Sequence, residues 1–288
     1  MKIDQLVDCK TILGEGPVWD VQEQRLYWID SLGRSFHRCD AQGEEHRVWT
    51  LPSEIGSMAL RQNGGALLAL RSGLHFFDFD EGLAAAIAHP EAHEPRARLN
   101  DGKVDREGRF VVGSMDTGEE AKIGSCYRLP GNLQLETLAS GFSICNGPCW
   151  SPDGTRMYFA DSVARQIYAY EYDAAGIRNR RVFVDLAGFR GMPDGATVDE
   201  EGCLWFAEVF GGRIHRASPS GRLLTSIELP VLKVTSLCFG GANLDTLYVT
   251  SMAKPPLPKY PEDGPLAGSL FRVAGLGIKG LPERRFVG

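Results

Sequence analysis

The sequence contains no long hydrophobic run. Its most apolar short stretch, residues 83–88, is far below the roughly 20 residues that a helix needs to cross a bilayer. Residues 1–10 include Asp4 and Asp8 and lack the apolar core of a secretory signal. We therefore expect a protein with no membrane partner and a cytoplasmic location.

The sequence also lacks paired cysteines. Its seven cysteines, an odd number, are scattered singly between Cys9 and Cys238 and form no C-x-x-C pair. This pattern is typical of free thiols in a reducing cytosol rather than of a disulfide framework. The six histidines do not fall at ligand spacing near the cysteines, which argues against a zinc site of that type.

Common catalytic motifs are missing as well. The chain has no G-x-S-x-G nucleophile elbow, no H-E-x-x-H zinc motif and no P-loop. The formal charge is -6, with acidic and basic residues interspersed, which argues against nucleic acid as the main partner. For the assembly state we expect a monomer or a weak homodimer.

What the sequence does contain is a repeat. Six segments share an apolar patch, a turn with an acidic residue or Gly, and then an alternating apolar strand. Corresponding strand residues are 41, 43, 47, 47 and 43 positions apart, and these markers are Leu26, Leu67, Phe110, Met157, Leu204 and Leu247. A period of about 40–50 residues built from short strands is typical of a propeller with one four-stranded blade per repeat.

The repeat predicts an all-β fold, a six-bladed β-propeller with four-stranded antiparallel blades around a central channel. The six units account for nearly the whole chain, and no long amphipathic helix or Pro/Ser-rich linker divides it. We therefore expect residues 1–288 to form a single domain. Two packed β-sandwiches, which also give regularly spaced strands, are the alternative fold. The even spacing favours the propeller.

Four oxygen-donor residues stand ten or eleven positions before the marker of their repeat: Glu15, Asn100, Asn146 and Asp194. Because equivalent positions of successive blades lie at equal height around one axis, we expect these side chains to converge on one mouth of the channel. Two carboxylates and two amides form a hard oxygen site for Ca²⁺, Mg²⁺ or Mn²⁺, with Zn²⁺ or Fe²⁺ as further candidates. The alternative is that these residues belong to ordinary polar-Gly turns.

The same phase holds no strong ligand in the other two repeats, where Gly56-Ser57 and Ser236-Leu237 stand. This asymmetry predicts that one side of the metal stays open, so that the substrate and an attacking water enter there.

Other polar residues near these positions are candidates for substrate binding. Arg98 lies two residues before Asn100 and would share its face on a strand, where a guanidinium fork suits a hydroxylated or anionic substrate. The alternative is a solvated surface arginine. Asp116, Glu119 and Glu120 fall in a predicted rim loop, for which contact with the substrate and simple solvation both stay open.

Five short segments carry a family signature. They are LGEGPVW at residues 13–19, RLNDG at 98–102, NGP at 146–148, PDG at 193–195 and FGG at 239–241. In this order and spacing they resemble the gluconolactonase family, also called senescence marker protein or regucalcin-like, with similarity from about residue 13 to residue 281. The resemblance implies a six-bladed propeller that holds one divalent cation through Glu15, Asn146 and Asp194. It also implies that Arg98 and Asn100 contact the substrate.

The resemblance further implies hydrolysis of a small-molecule sugar lactone, a gluconolactone-like aldonolactone, to the sugar acid. Asp194 would then be both a metal ligand and the general base. The chain departs from the family at EVFGG, residues 208–212, where the bulky Val209 and Phe210 replace part of a Gly-rich segment and would shape the pocket.

Two other functions stay open. One is a non-enzymatic propeller that binds metal in a regulatory or scaffold role. The other is a related hydrolase of aryl esters or phosphoesters. Hydrolases of that kind often use a histidine in the channel, and no histidine stands at the ligand phase of this repeat.

Overall fold

A computed structural model describes residues 1–254, 257 and 263–288 of the chain. Within these residues the protein forms twenty-four β-strands in six sheets, each of four antiparallel strands. The innermost strand of each sheet contacts the innermost strands of the two neighbouring sheets, so the sheets form a ring. The predicted six-bladed β-propeller is confirmed, and the alternative of two β-sandwiches is wrong. The described part has no helix that is long and apolar enough to cross a membrane.

The strands are numbered in chain order, beginning with Lys2–Val7 (β1). Blade 1 contains Gly14–Asp20 (β2), Arg25–Asp30 (β3), Ser35–Cys39 (β4) and Arg47–Thr50 (β5). Blade 2 contains Ile55–Leu60 (β6), Ala66–Leu70 (β7), Gly73–Asp78 (β8) and Gly82–Ala88 (β9). Blade 3 contains Ala97–Val104 (β10), Phe110–Asp116 (β11), Gly124–Leu129 (β12) and Glu136–Phe142 (β13).

Blade 4 contains Cys145–Trp150 (β14), Arg156–Asp161 (β15), Gln166–Asp173 (β16) and Gly176–Asp185 (β17). Blade 5 contains Met192–Val198 (β18), Leu204–Val209 (β19), Arg213–Ala217 (β20) and Leu223–Glu228 (β21). Blade 6 takes Val234–Gly240 (β22), Thr246–Ser251 (β23) and Leu270–Ala274 (β24) from the end of the chain.

Blade 6 is completed by the start of the chain. Strand β1 is the outermost strand of this sheet and pairs antiparallel with β24, from Lys2 opposite Ala274 to Val7 opposite Leu270. The first and last segments of the chain are thereby joined by backbone hydrogen bonds, which close the ring. The repeat did not predict this pairing, because β1 precedes the first marker and has no counterpart within its own unit.

The hairpin turns between the first and second strands of the blades explain why the repeat is visible in the sequence. Gly108, Gly154 and Gly202 have φ angles of 83°, 73° and 79°, a region that favours glycine. In two of these turns an aspartate accepts two backbone N–H groups: Asp105 from residues 107 and 109, and Asp199 from residues 201 and 203. An acidic residue and Gly therefore recur at one place in successive blades.

The hydrophobic core lies mainly between neighbouring blades. Six of the seven buried clusters in the described part each join two adjacent blades. Phe36 of blade 1 packs edge-on against Phe77 of blade 2, for example, and Trp205 of blade 5 packs edge-on against Phe239 of blade 6. Because each blade covers its neighbours in this way, the ring rather than the single blade is the stable unit.

The C-terminal segment after β24 crosses the face of the ring at which the innermost strands end. Gly280 bridges to Asp199 beyond the end of β18, and Arg285 forms an ion pair with Asp20 at the end of β2. Phe286 is fully buried in the core between blades 2 and 3. The tail therefore ties blades 1, 2, 3 and 5 together on this face. The repeat pattern did not predict it, because it lies outside the six units.

We expect Phe286→Ala to lower the free energy of unfolding by about 3–5 kcal/mol, because the truncation leaves a cavity in the core between two blades. Urea denaturation followed by tryptophan fluorescence measures this change. Val287→Ala is the matched control, since Val287 is 36% exposed, and it should change stability by about 0.5 kcal/mol or less. Equal effects of the two substitutions would show that the tail does not complete the core.

Candidate active site and metal centre

The candidate ligands stand at irregularities of the innermost strands. Glu15 lies in β2, Asn100 in β10, Asn146 in β14 and Asp194 in β18. In each strand the regular pairing with the second strand of the blade is interrupted at or directly after the ligand. A β-bulge bends a strand and turns a side chain away from the regular pleat. The same irregularity in four blades therefore brings four polar side chains to one end of the channel.

Glycine allows two of these irregularities to form. Gly16, after Glu15, has a φ of 48°, and Gly147, after Asn146, has a φ of 57°. Both angles lie in the left-handed region, where residues with a Cβ are strained. The Gly in each of these motifs is thus required by the backbone that presents the ligand, rather than by a hairpin turn.

One cavity is lined by all five predicted site residues. Its volume is about 530 Å³, including the part that is open to solvent. Glu15, Arg98, Asn100, Asn146 and Asp194 line it at the mouth where the innermost strands begin. The remaining lining residues are Leu13, Met115, Glu119, Ile144, Ser162, Met192, Val209, Phe210 and Met252. The structure thus brings together the side chains that the repeat phase singled out.

The two repeats without a ligand contribute differently. Ser57 Oγ donates a hydrogen bond to the backbone oxygen of Asn100 at 2.8 Å, so this residue supports the site from behind. Ser236 donates its backbone N–H to the hydroxyl of Thr250. On the blade 6 side the cavity is lined instead by Met252, a residue that the repeat phase did not indicate.

Hydrogen bonds connect polar side chains of blades 3 and 4 with each other and with the backbone of blade 5. Asn100 Nδ2 donates to Asn146 Oδ1 at 2.8 Å and to the backbone oxygen of Cys145 at 2.9 Å. Asn146 Nδ2 donates to Ser162 Oγ at 2.9 Å, and this hydroxyl donates to the backbone oxygen of Pro193 at 2.7 Å. This chain of bonds fixes the orientation of the Asn146 amide and leaves a second lone pair of its oxygen available in the cavity.

Negative charge is concentrated at the mouth. Burial, followed by the nearby Asp101 carboxylate, raises the pKa of Glu15 to about 8. Burial, followed by the charges of Glu15 and Asp101, raises the pKa of Asp194 well above its ordinary value. Within the described residues neither Glu15 nor Asp194 forms an ion pair with a lysine or arginine. Two carboxylates that are buried together without a basic partner favour a bound cation or bound protons.

The donor set fits a divalent cation. Glu15 and Asp194 offer carboxylate oxygens and Asn146 offers an amide oxygen, which are the ligand types that Ca²⁺, Mg²⁺ and Mn²⁺ prefer. Among the described residues no group of three His, Cys, Asp or Glu side chains has ligand geometry, so a metal centre here depends on the amide of Asn146. The residues present therefore fit a hard-oxygen site better than a site of nitrogen or sulfur ligands.

Arg98 lies inside the cavity rather than on the surface. Its side chain is buried, and Nη1 donates to the backbone oxygen of Leu99 at 2.9 Å. Burial lowers the pKa of the guanidinium, while the carboxylates of Glu54 and Glu15 counteract this effect. The alternative of a solvated surface arginine is therefore wrong.

The three acids predicted for the rim loop lie in different places. Asp116 is the last residue of β11 rather than a loop residue, and Glu119 and Glu120 follow it in the loop. Asp116 is buried, forms an ion pair with Arg96 and accepts backbone N–H groups of residues 118, 120 and 121, so it organises the loop. Glu119 is buried and lines the cavity, whereas Glu120 is exposed. Glu119 is thus the acid of this loop that is positioned to contact a substrate. The sequence could not distinguish it from Glu120, because irregular loops have no alternation of faces.

The sequence carries little signal for the apolar part of the cavity. Val209 and Phe210 line the cavity, as their place in the altered Gly-rich segment suggested. Met192 stands two residues before Asp194 on β18, and strand alternation would have placed it on the same face. Met252 follows β23, and no signal in the repeat points to it.

The chain is similar to known proteins over nearly its whole length. Residues 13–253 match the family model described as the SMP-30/Gluconolactonase/LRE-like region. The chain is 36% identical over 280 residues to the 6-deoxy-6-sulfogluconolactonase of Pseudomonas putida, with 96% of each chain covered. It is also 36% identical over 288 residues to the L-arabinolactonase of Azospirillum brasilense, covering 98% of this chain and 95% of the relative.

A solved structure is similar over nearly its full length. The crystal structure of a calcium-binding protein, regucalcin, from Agrobacterium tumefaciens superimposes with a TM-score of 0.89 at 28% identity, covering 98% of this chain and 96% of that one. The region that matches the family model, residues 13–253, contains all five predicted site residues, from Glu15 to Asp194. The chain therefore belongs to the SMP-30/gluconolactonase/LRE-like family.

Proposed function

We propose that this protein hydrolyses a sugar lactone to the corresponding sugar acid. The observation that carries the proposal is the convergence of Glu15, Asn146 and Asp194 with Arg98 and Asn100 in one cavity. Relatives that are similar over almost their whole length are named as lactonases. A lactone is a cyclic ester that water can attack directly, and none of the described residues that line the cavity is a Ser or Cys beside a base.

The proposed cofactor is one divalent cation held by Glu15, Asn146 and Asp194. A family relative of known structure is named as a calcium-binding protein, which supports a divalent ion without fixing its identity for this chain. When bound, the cation supplies Lewis-acid polarisation of the lactone carbonyl. The positive charge of the cation would also neutralise the two buried carboxylates, Glu15 and Asp194, which otherwise repel each other.

In the proposed reaction Asp194 transfers a proton. Its carboxylate accepts a proton from a water molecule as the water oxygen attacks the lactone carbonyl carbon. The bond between this carbon and the ring oxygen then breaks, and the Asp194 carboxyl returns the proton to the departing ring oxygen. One water is added across one ester bond, so no further reactant is required.

Arg98, Asn100 and Glu119 are proposed to orient the substrate. Arg98 offers donors, and the Asn100 amide oxygen and the Glu119 carboxylate offer acceptors on the blade 3 side of the cavity, which suits the hydroxyl groups of a sugar. The amide of Asn100 is already fixed by its bonds to blade 4, so it loses little freedom when a substrate binds. No histidine is among the described residues that line the cavity, and this disfavours the aryl-ester and phosphoester alternatives.

A cytoplasmic location is part of the proposal. All seven cysteines are free thiols, and six of them are buried. Buried thiols without partners agree with a reducing compartment. Monomer or weak homodimer, and the absence of a nucleic acid partner, stay predictions.

We expect Asp194→Ala to abolish tight metal binding and to lower kcat/KM for aldonolactones by about 10³-fold or more, because the substitution removes both a ligand and the base. A pH-indicator assay of acid release measures the rate, and titration calorimetry measures metal binding. Asp194→Asn keeps an oxygen ligand but cannot accept the proton, so it should retain more metal affinity than activity. The exposed Asp245→Ala is the control and should behave as wild type. Wild-type turnover by Asp194→Ala would contradict the proposed mechanism.

We also expect a chelator to abolish hydrolysis and one equivalent of divalent cation per chain to restore it. Calorimetry with Ca²⁺ or Mn²⁺ should give one tight site per chain. Glu15→Gln should weaken this site at least about tenfold, because fewer carboxylates lower the affinity for a hard cation. The exposed Glu120→Gln is the matched control. Full activity in chelated protein would exclude the metal-dependent reaction, while a single metal site in a protein that hydrolyses no lactone would favour the non-enzymatic alternative.

A further inference from the structure

The mouth of the channel contains an apolar cluster that belongs to no interface between blade cores. Its buried members are Leu13, Val209, Phe210 and Met252, with Met192 packed against them. Six other clusters in the described residues each join two adjacent blades, whereas this seventh one collects side chains from blades 5, 6 and 1 around the entrance. All five of these side chains line the cavity of the candidate active site. We call them the apolar wall.

The cavity is divided by polarity. The polar lining residues Arg98, Asn100, Glu119, Asn146 and Ser162 come from blades 3 and 4. The apolar wall comes from blades 5, 6 and 1, and blades 1 and 5 also contribute the metal ligands Glu15 and Asp194. Leu13 and Met192 each stand two residues before one of these ligands, nearer the end of the channel at which the innermost strands begin. Met115 and Ile144 are the apolar lining residues on the polar side. A substrate that binds here therefore meets hydrogen-bonding groups at one edge and hydrocarbon at the other.

Several backbone groups of the wall are already paired, so they are not available in place of polar side chains. Leu13 donates its N–H to Asp30 Oδ1 at 2.9 Å, and its oxygen accepts from Ser31. Met252 donates its N–H to the backbone oxygen of Lys233. Met192 and Val209 are opposite each other in the ladder of blade 5.

Phe210 is held at the wall in an unusual conformation. Its φ is 66°, a left-handed angle that is unfavourable for a bulky side chain and that concentrates at functional sites. The residue follows β19 directly and precedes Gly211 and Gly212, either of which would adopt such an angle without strain. Gly212 of the same turn has a left-handed φ of 71°, so Phe210 is the strained one of these two left-handed residues.

A hydroxyl group that faces this wall loses its hydrogen bonds to water and gains none in return. An aldonolactone normally carries a hydroxymethyl or a further hydroxylated carbon at the end remote from its carbonyl. In the proposed binding mode the carbonyl lies at Asp194 and the ring hydroxyls contact the blade 3 side. The end of the lactone remote from the carbonyl then faces the apolar wall on blades 5, 6 and 1. A methyl group at this end would be buried favourably instead.

We propose that the apolar wall selects deoxyaldonolactones, in which a terminal methyl replaces the hydroxymethyl group, over their hydroxylated counterparts. This inference rests on the proposed lactonase function. Val209 and Met252 are specificity-determining residues in this account, because their side chains supply the surface that the methyl group contacts.

Pairs of lactones that differ only at the terminal carbon test the proposal. Suitable pairs are L-fuconolactone with L-galactonolactone, L-rhamnonolactone with L-mannonolactone, and D-fuconolactone with D-galactonolactone. In the pairs that are hydrolysed, we expect kcat/KM to be about tenfold or more higher for the deoxy member, in the range that one group in an apolar pocket provides. A ratio of one or less in every hydrolysed pair would overturn the proposal while leaving the lactonase function intact. Hydrolysis of none of these lactones, or of a wider aldonolactone panel, would contradict the proposed function itself.

Two near-isosteric substitutions test the residues. Val209→Thr and Met252→Gln introduce a hydrogen-bonding group at nearly constant volume, and each should reduce the deoxy preference several-fold. Val231→Thr is the matched control, because Val231 is equally buried but lies between blades 5 and 6, away from the cavity. Each preference is a ratio measured on one preparation, so partial unfolding of a variant cancels. An unchanged ratio in both wall variants would show that the wall does not contact the distinguishing group.

Discussion

The burial of two carboxylates, Glu15 and Asp194, at one mouth of a closed ring is the constraint on which the rest of the site depends. Each is brought there by an irregularity near the start of an innermost strand, and the ring holds the two blades in place. No arginine or lysine of the described residues pairs with them. Burial, followed by the charge of Glu15, raises the pKa of Asp194, which favours a bound proton or a bound cation. The fixed amide of Asn146 then makes the site more suitable for a hard cation than for protons alone.

Most of the fold could be predicted from the sequence because the turns between strands repeat the same chemistry. An acidic residue and a left-handed Gly recur in the first hairpin turns of blades 3, 4 and 5, which makes the period visible. The closure of blade 6 by β1 and the path of the C-terminal tail could not be predicted in this way. Both depend on contacts between segments that are far apart in the chain, and neither segment contains the repeat. Nothing in the sequence around Phe286 indicates that its side chain completes the core between blades 2 and 3.

The same reasoning explains which parts of the site were predictable. Glu15, Asn100, Asn146 and Asp194 share a position in the repeat, so the symmetry of the ring is sufficient to bring them together. Glu119, in contrast, reaches the cavity from a loop. The apolar wall comes from loops and strand ends at different phases of three blades. The altered Gly-rich segment indicated Val209 and Phe210, whereas Leu13 and Met252 are ordinary apolar residues with no local signal of their place. Symmetry thus specifies the metal ligands, while the departures from symmetry shape the space around the substrate.

The central claim is that Glu15, Asn146 and Asp194 form one divalent metal centre at the channel mouth. Anomalous diffraction from crystals soaked in Mn²⁺ tests it most directly, because it locates the ion without reference to activity. We expect one strong peak per chain, at about 2.0–2.4 Å from oxygens of all three side chains, within the usual range for hard cations. A peak elsewhere on the protein, or no peak at the mouth of fully soaked crystals, would contradict it.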